Sequence, residues 1–191
     1  MKKFGIGERV LRKEDDRLVT GNGLYMGDIH FNNQAHAYVL RSPHANAKII
    51  SIDTSNADSI KGVIGIYTSN DIGEIKPLPC AVDSMFEFKK RDGSKRFFPK
   101  HNVLADKYVR HVGDPIAIIV AEKLSQAKDA SELINVEYEI LPCVVDPEIA
   151  IKNNSYTIYQ EEGATDNAAF LFTQGAKENT EKIFKEADHI T

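Results

Sequence analysis

Six histidines and two cysteines are the residues of this chain best suited to bind a transition metal or to supply a nucleophile. No two histidines stand at helical i, i+4 spacing, and no Cys-x-x-Cys motif accompanies them. A metal site would need ligands from distant segments, so we expect surface or capping roles. His44 follows Pro43 at the end of a predicted strand, where we expect it to hydrogen-bond loop backbone. The histidines are His30, His36, His44, His101, His111 and His189.

Both cysteines are predicted to be reduced thiols. Cys80 and Cys143 lie far apart, and neither has a base nearby in the sequence that would favour a thiolate. Each follows a proline and has apolar neighbours, which favours burial as a small hydrophobic residue. We therefore expect neither a disulfide nor a nucleophile at these positions.

Two glycine pairs could form a phosphate-binding loop, but their surroundings do not fit one. Gly5 and Gly7, like Gly21 and Gly23, neither follow a predicted strand nor open a helix, and a phosphate loop requires both. We interpret both pairs as turns.

Adjacent acidic residues are candidates for acid–base catalysis, which needs two groups that face each other across a cleft. Glu14 and Asp15, like Glu161 and Glu162, point different ways along an extended chain, so we expect solvated charge runs. The alternative near the N-terminus is a set of ion pairs that pins an arm to a partner surface, formed by Arg12, Asp15 and Arg17. The sequence thus predicts no catalytic, cofactor-binding or metal-binding residue.

Composition excludes several classes of protein. The 191 residues carry 24 Lys and Arg against 28 Asp and Glu, so the basic surface that nucleic acid requires is not expected. No apolar run reaches the roughly 18 residues of a membrane span. The N-terminus lacks the apolar stretch typical of a secretory signal, and we expect a cytoplasmic protein. The length suits one domain, or one with part of a second.

The pattern of apolar residues predicts a mixture of strands and helices. An unbroken apolar run over 116–121 predicts a strand buried on both faces, and helical spacing predicts a helix over 125–133. Together with the next strand they predict a right-handed strand–helix–strand crossover. The other predicted elements are strands over 33–41, 47–52, 63–67 (buried), 136–141 and 170–172, a short helix between Asp53 and Gly62, an amphipathic helix over 176–187, and the opening of a further strand over 187–191.

Residues 73–101 form the irregular part of the chain, because prolines break any regular element there. Asp92-Gly93 predicts a hairpin turn within it. Phenylalanines flank a run rich in basic residues between Phe86 and Phe98, so the 86–98 segment could serve as an apolar contact strip with a basic rim. One hypothesis for the function of the chain is therefore a free-standing protein-interaction module that uses this strip.

Several stretches resemble the N-terminal part of the molybdenum-binding large subunit of the xanthine dehydrogenase/aldehyde oxidase family, especially its branch similar to the carbon monoxide dehydrogenase large chain. Their order and spacing extend over nearly the whole chain. Asn46 and Lys48 stand where the family usually has His and Arg. The stretches are Gly5-Ile6-Gly7-Glu8-Arg9-Val10-Leu11-Arg12-Lys13-Glu14-Asp15, Arg17-Leu18-Val19-Thr20-Gly21, Gly23-Leu24-Tyr25, Asp28-Ile29, Arg41-Ser42-Pro43-His44-Ala45-Asn46-Ala47-Lys48-Ile49, Val112-Gly113-Asp114-Pro115-Ile116-Ala117, Val120-Ala121-Glu122 and Val136-Glu137-Tyr138-Glu139-Ile140-Leu141-Pro142.

The resemblance implies an α+β fold in which residues 18–146 form the family's α/β hammerhead domain, a mixed sheet with a strand–helix–strand unit. Residues 1–17 would be an extended N-terminal arm, and residues 147–191 a linker and the incomplete start of a molybdopterin-binding domain. In the family, that domain and the next hold molybdopterin and supply the active-site carboxylate. We therefore expect no cofactor within this chain itself.

The resemblance also implies a function for the complete assembly. The family reaction adds a water-derived oxygen to a substrate and passes electrons to iron–sulfur and FAD partners. This chain would be the N-terminal portion of a molybdenum hydroxylase large subunit, a scaffold inactive alone, with the rest of the large subunit and the iron–sulfur and FAD subunits as partners. The substrate stays open among carbon monoxide, purines, aldehydes and heteroaromatics.

Overall fold

The computed structural model describes residue 5, residue 7 and residues 12–73, 75–80 and 87–190. These residues form two three-stranded antiparallel sheets and several short helices. The strands are β1 (His36–Arg41), β2 (Ala47–Asp53), β3 (Val63–Thr68), β4 (Tyr108–Val109), β5 (Pro115–Ala121) and β6 (Asn135–Ile140). The α-helices are α1 (Asp15–Val19), α2 (Ser55–Asp58), α3 (Leu124–Glu132), α4 (Pro147–Ala150) and α5 (Lys177–Glu186), with 3-10 turns at Met26–Asp28 and Gln160–Glu162.

The first sheet has the order β1-β5-β3, so β5 lies at its centre. Ile119 of β5 pairs with Tyr38 on one side and with Ile66 on the other. Ile116, Ile119 and their neighbours Ala117 and Ala121 are fully buried. The predicted strand over 116–121 is therefore confirmed, and its continuous apolar run follows from being covered on both faces.

The second sheet has the order β4-β2-β6. Ala47 at the start of β2 pairs with Val109 of β4 on one edge and with Ile140 of β6 on the other. Ala47 and Val109 are fully buried and form a second small core with Ile116 of β5. Ile116 therefore connects the cores of the two sheets.

The expected strand–helix–strand crossover within one sheet is wrong, because β5 and β6 belong to different sheets. Strand β5 already has a hydrogen-bonded neighbour on each edge and leaves no edge for β6. Strand β6 pairs with β2 instead, and α3 connects the two sheets. Ala127 and Ala130 of α3 are fully buried in the first core, where their small side chains let the helix approach β5 closely.

The N-terminal arm, predicted to be extended, contains a helix where it is described. Asp15 and Asp16 lie in the first turn of α1 and Arg17 in the last, an order that the helix dipole favours. The rest of the arm, residues 1–4, 6 and 8–11, lies outside the described residues.

Three smaller expectations also need correction. Strand β3 is only half-buried, with Ile64 58% exposed, because it lies at a sheet edge. The predicted strand over 170–172 is reduced to a single bridge between Leu171 and Lys89. Residues 187–190, expected to open a strand, form none in the described structure, whereas the helix before them is confirmed as α5.

No helix among the described residues is both long and apolar enough to cross a membrane.

Replacing Ile119 by Ala should lower the free energy of unfolding by about 2–5 kcal/mol, because it leaves a cavity in the closed core around β5. The matched control is Ile64→Ala on β3, where the side chain is 58% exposed and the loss should stay below about 1 kcal/mol. Urea unfolding followed by circular dichroism measures both. Equal losses in the two variants would contradict the assignment of the core.

Candidate functional site

Arg110 is a buried charged side chain that joins distant parts of the described structure. It directly follows β4, and its side chain is only 7% exposed. Its Nη1 donates to Asn46 Oδ1 at 3.2 Å and to the carbonyl oxygen of Ile158 at 2.6 Å. Its Nη2 donates to Glu161 Oε2 at 2.9 Å. One guanidinium thus connects the start of β2 to a segment that lies about 50 residues after Arg110 in the chain.

Two aromatic rings enclose the same guanidinium. Its central carbon lies 4.3 Å from the ring centroid of Tyr108 and 5.1 Å from that of Tyr159. Such contacts strengthen as water is excluded. Burial raises the pKa of the Tyr159 phenol above its ordinary value, although the nearby Arg110 cation opposes this shift.

The turn that precedes β5 fixes the backbone of Arg110. Asp114 Oδ2 accepts a hydrogen bond from the Arg110 backbone N at 2.8 Å. Gly113 has a φ of 90°, which glycine adopts without strain, and its N donates to Ser42 O at 2.8 Å. Arg41 Nη1 donates to Gly113 O at 2.8 Å. The Val-Gly-Asp-Pro sequence over 112–115 is therefore a turn that connects the end of β1 to β5 and places Arg110.

A cavity of about 810 Å³ opens beside Arg110. Basic and acidic side chains line it in similar number, so its charge favours neither an anion nor a cation. Its polar and ionisable lining includes Cys80, Lys100, His101, Asp106, Lys107, Tyr108, Arg110, His111, Asp114, Tyr159, Glu161 and Glu162.

Lys90 forms a second buried polar contact with the same distant segment. It lies in the hairpin turn around Gly93, where Lys89 bridges Lys95, so the turn predicted at Asp92-Gly93 is confirmed. Its side chain is 7% exposed, and Nζ lies 2.7 Å from Asp166 Oδ1 and 3.3 Å from Thr165 Oγ1. The hydrogen bond from Lys90 lowers the pKa of Asp166 below its ordinary value.

The phenylalanines of the proposed contact strip pack on their own chain. Phe88 stacks on Phe170 with centroids 4.5 Å apart, and Phe98 meets the same ring edge-on at 5.6 Å. Phe97 lies 6.3 Å from Tyr159. Phe86 lies outside the described residues. The three described phenylalanines of the strip are therefore half-buried against their own chain, which weakens the interaction-module alternative.

The structure corrects the expectation for both cysteines and confirms that they are unpaired. Cys80 and Cys143 are free and exposed rather than buried, because each lies in an irregular segment after a proline and outside any strand.

The ring of His44 packs edge-on against the ring of Tyr138, with centroids 4.8 Å apart. The backbone N of His44 donates a hydrogen bond to Ser42 Oγ, and its backbone O accepts one from the same hydroxyl. The described residues contain no group of three or more His, Cys, Asp or Glu placed to hold a metal ion.

The acidic neighbours Glu161 and Glu162 do point to different partners, but they are not merely solvated. Glu161 pairs with Arg110, and Glu162 Oε2 accepts from the Lys100 backbone N at 3.3 Å. Sequence reasoning missed Arg110 and Lys90. Arg110 stands two residues before the recognised 112–117 motif, but no local spacing reveals a partner 51 positions away.

The sequence from 20 to 142 matches the family model described as aldehyde oxidase and xanthine dehydrogenase, a/b hammerhead domain. This match covers well over half of the chain. The chain belongs to the aldehyde oxidase and xanthine dehydrogenase family. The two antiparallel sheets joined by α3 are its hammerhead domain, so the α+β fold class and the recognised family are both confirmed.

Similar proteins agree with this assignment. The chain is 33% identical to the nicotine 6-hydroxylase large subunit of Paenarthrobacter nicotinovorans over 97% of its own length and 21% of that protein. A quinoline 2-oxidoreductase structure from Pseudomonas putida 86 matches with a TM-score of 0.69 at 34% identity, covering 84% of this chain and 19% of that one. Reconstituted CO dehydrogenase from Oligotropha carboxidovorans matches with a TM-score of 0.71 at 28% identity, covering 97% and 23%.

The chain spans about a fifth of the length of the curated relatives it matches. Members of this family include a protein named as a molybdenum-binding subunit. The described hammerhead residues bring together no set of three or more side chains that could bind a molybdenum ion directly, and the cavity beside Arg110 has mixed charge. We therefore derive no chemical step through that cofactor.

Replacing Asp166 by Asn should make the free energy of unfolding depend less on pH in the acidic range. The folded-state pKa of Asp166 lies below 3.8, so its contribution is present above that pH and disappears as the pH falls further. Urea midpoints measured from about pH 6 down to about pH 3 should converge for the two proteins at low pH. Lys90→Met removes the cation that pairs with Asp166, so it should weaken the same dependence of the urea midpoint on pH. If the midpoints of the variants and of the unmodified chain fall in parallel as the pH is lowered, this account is wrong.

Proposed function

We propose that this chain is the N-terminal scaffold portion of a molybdenum hydroxylase large subunit. In this proposal, residues 18–146 are the hammerhead domain, and residues 147–191 are a linker and the start of a molybdopterin-binding domain. The observation that carries the proposal is the match of nearly the whole chain to only a fifth of several large subunits. The chain would shape the catalytic subunit and would not turn over substrate alone.

The surface of the described residues supports a scaffold role. Large apolar side chains between α1 and β1 are strongly exposed, among them Val19 at 83%, Met26 at 90% and Phe31 at 73%. Such clustering is unusual on a protein that works alone, and it is typical of a surface that another polypeptide covers. The remainder of the large subunit is the partner that we propose for it.

In this proposal, the cofactors belong to other parts of the complete assembly. We propose that the rest of the large subunit holds molybdopterin and that partner subunits carry the iron–sulfur clusters and FAD. The cofactors would then supply the hydroxylation and electron-transfer chemistry, while this chain supplies shape and contact surface. Two free, exposed thiols are compatible with a reducing compartment, so we propose a cytoplasmic location.

A native pull-down with the tagged 191-residue chain tests the proposal. We expect it to recover a polypeptide that carries the remainder of the large subunit, together with iron–sulfur and flavin subunits and molybdenum. The matched control is Ile119→Asp, which places a charge in the closed core and prevents folding of the hammerhead. Partners that need the folded domain should be lost, whereas chaperones should remain.

Mass spectrometry of the bound proteins and metal analysis of the eluate provide the readouts. If the chain is recovered alone while a molybdenum-binding subunit from the same cells stays unbound, the scaffold proposal is wrong. Substrate turnover by the isolated chain would also contradict it.

A further inference from the structure

Residues 156–171, here called the strap, have little regular structure of their own. Their regular features are the 3-10 turn at Gln160–Glu162 and the bridge of Leu171 to Lys89. Of the apolar residues in the strap, only the small Ala164 is buried as deeply as the core residues. Because little apolar surface is buried, we expect polar contacts with the hammerhead to order the strap, beside the ring contacts of Tyr159 and Phe170.

The first half of the strap is held by Arg110. Two of its three acceptors belong to the strap, the carbonyl of Ile158 and the carboxylate of Glu161, and the third is Asn46 at the start of β2. The Tyr159 ring lies against the same guanidinium. Planar donors that point in fixed directions are needed to reach all three oxygens, and a lysine ammonium cannot reproduce that fork.

The second half of the strap has an independent anchor. Lys90 binds Asp166, and two backbone hydrogen bonds hold the end of the strap: Leu171 N donates to Lys89 O at 2.8 Å and Phe97 N to Ala169 O at 3.0 Å. These contacts use the hairpin rather than Arg110.

Asn167 gives the first half its internal shape. Its Oδ1 accepts from Ile158 N at 2.9 Å, and its Nδ2 donates to the carbonyls of Tyr156 and Ala150. Asn167 lies in the second half of the strap, so this network also ties the first half to the second, although none of its bonds reaches the hammerhead. The polar side chain of the hammerhead that binds this loop through its backbone is Arg110.

We propose that Arg110 is a positioning residue that holds residues 156–164 on the hammerhead, in addition to the Lys90 anchor on residues 165–171. Loss of the guanidinium fork releases the first half of the strap while the sheets and the second half stay in place. The inference concerns contacts within this chain, so it does not depend on the proposed function.

Amide hydrogen exchange on the full 191-residue chain tests this division. In Arg110→Lys, the amides of Glu162 and Ala164, which both donate to Tyr159 O, should exchange at least about tenfold faster than in the unmodified chain. The amide of Leu171 and those of β5 should keep their rates. Glu161→Gln removes one charged acceptor and should accelerate the same two amides by a smaller factor.

Lys177→Gln is the matched control, because it breaks the exposed pair between Lys177 and Glu181 on α5. It should leave every strap amide unchanged. Unchanged exchange over residues 156–164 in the Arg110 variant would overturn the proposal. So would equally faster exchange in β5, since Arg110 would then stabilise the whole domain rather than the strap. Should Arg110→Lys not fold, the same two outcomes are read from Glu161→Gln.

Discussion

Strand β5 is the element on which the rest of the fold depends, because it is paired on both edges and covered on both faces. With both edges occupied, the strand that follows α3 must pair elsewhere, and β6 joins β2 in a second sheet. Covered faces explain why the run from 116 to 121 contains only Ile, Val and Ala. The close packing of α3 against β5 follows as well, because only small side chains such as alanine fit between the helix and a densely packed strand.

The same strand also determines where the polar contacts form. The turn before β5 needs Gly113 at a positive φ and Asp114 to hold the backbone of Arg110. Arg110 therefore emerges at a fixed place beside β2, where it meets the strap. A rigid hammerhead with polar anchors at its surface is what a scaffold requires, since other segments can then be placed on it without disturbing the core. The chemistry of the family is, in our account, performed by cofactors held elsewhere.

Local patterns in the sequence were sufficient for most single elements. The apolar run of β5, the helical spacing of Ala127 and Ala130, and the Asp92-Gly93 turn each depend on near neighbours, and all three were predicted correctly. Sheet membership was not, because periodicity reports which residues are buried and not which edge is free. Burial of Cys80 and Cys143 was predicted wrongly, since apolar neighbours do not bury a residue that lies outside the strands. The described partners of the Arg110 and Lys90 side chains in the strap lie 48 or more positions away, beyond the reach of any spacing rule.

The molybdenum and pterin content of the isolated chain tests the central claim most directly. The 191-residue chain would be purified under native conditions from cells that make molybdopterin but contain no other part of the large subunit, and its bound metal and pterin would be quantified per polypeptide. A scaffold whose interior is filled by the side chains of β5 and α3 should contain neither above background. One pterin cofactor per folded chain, retained through purification, would contradict the account.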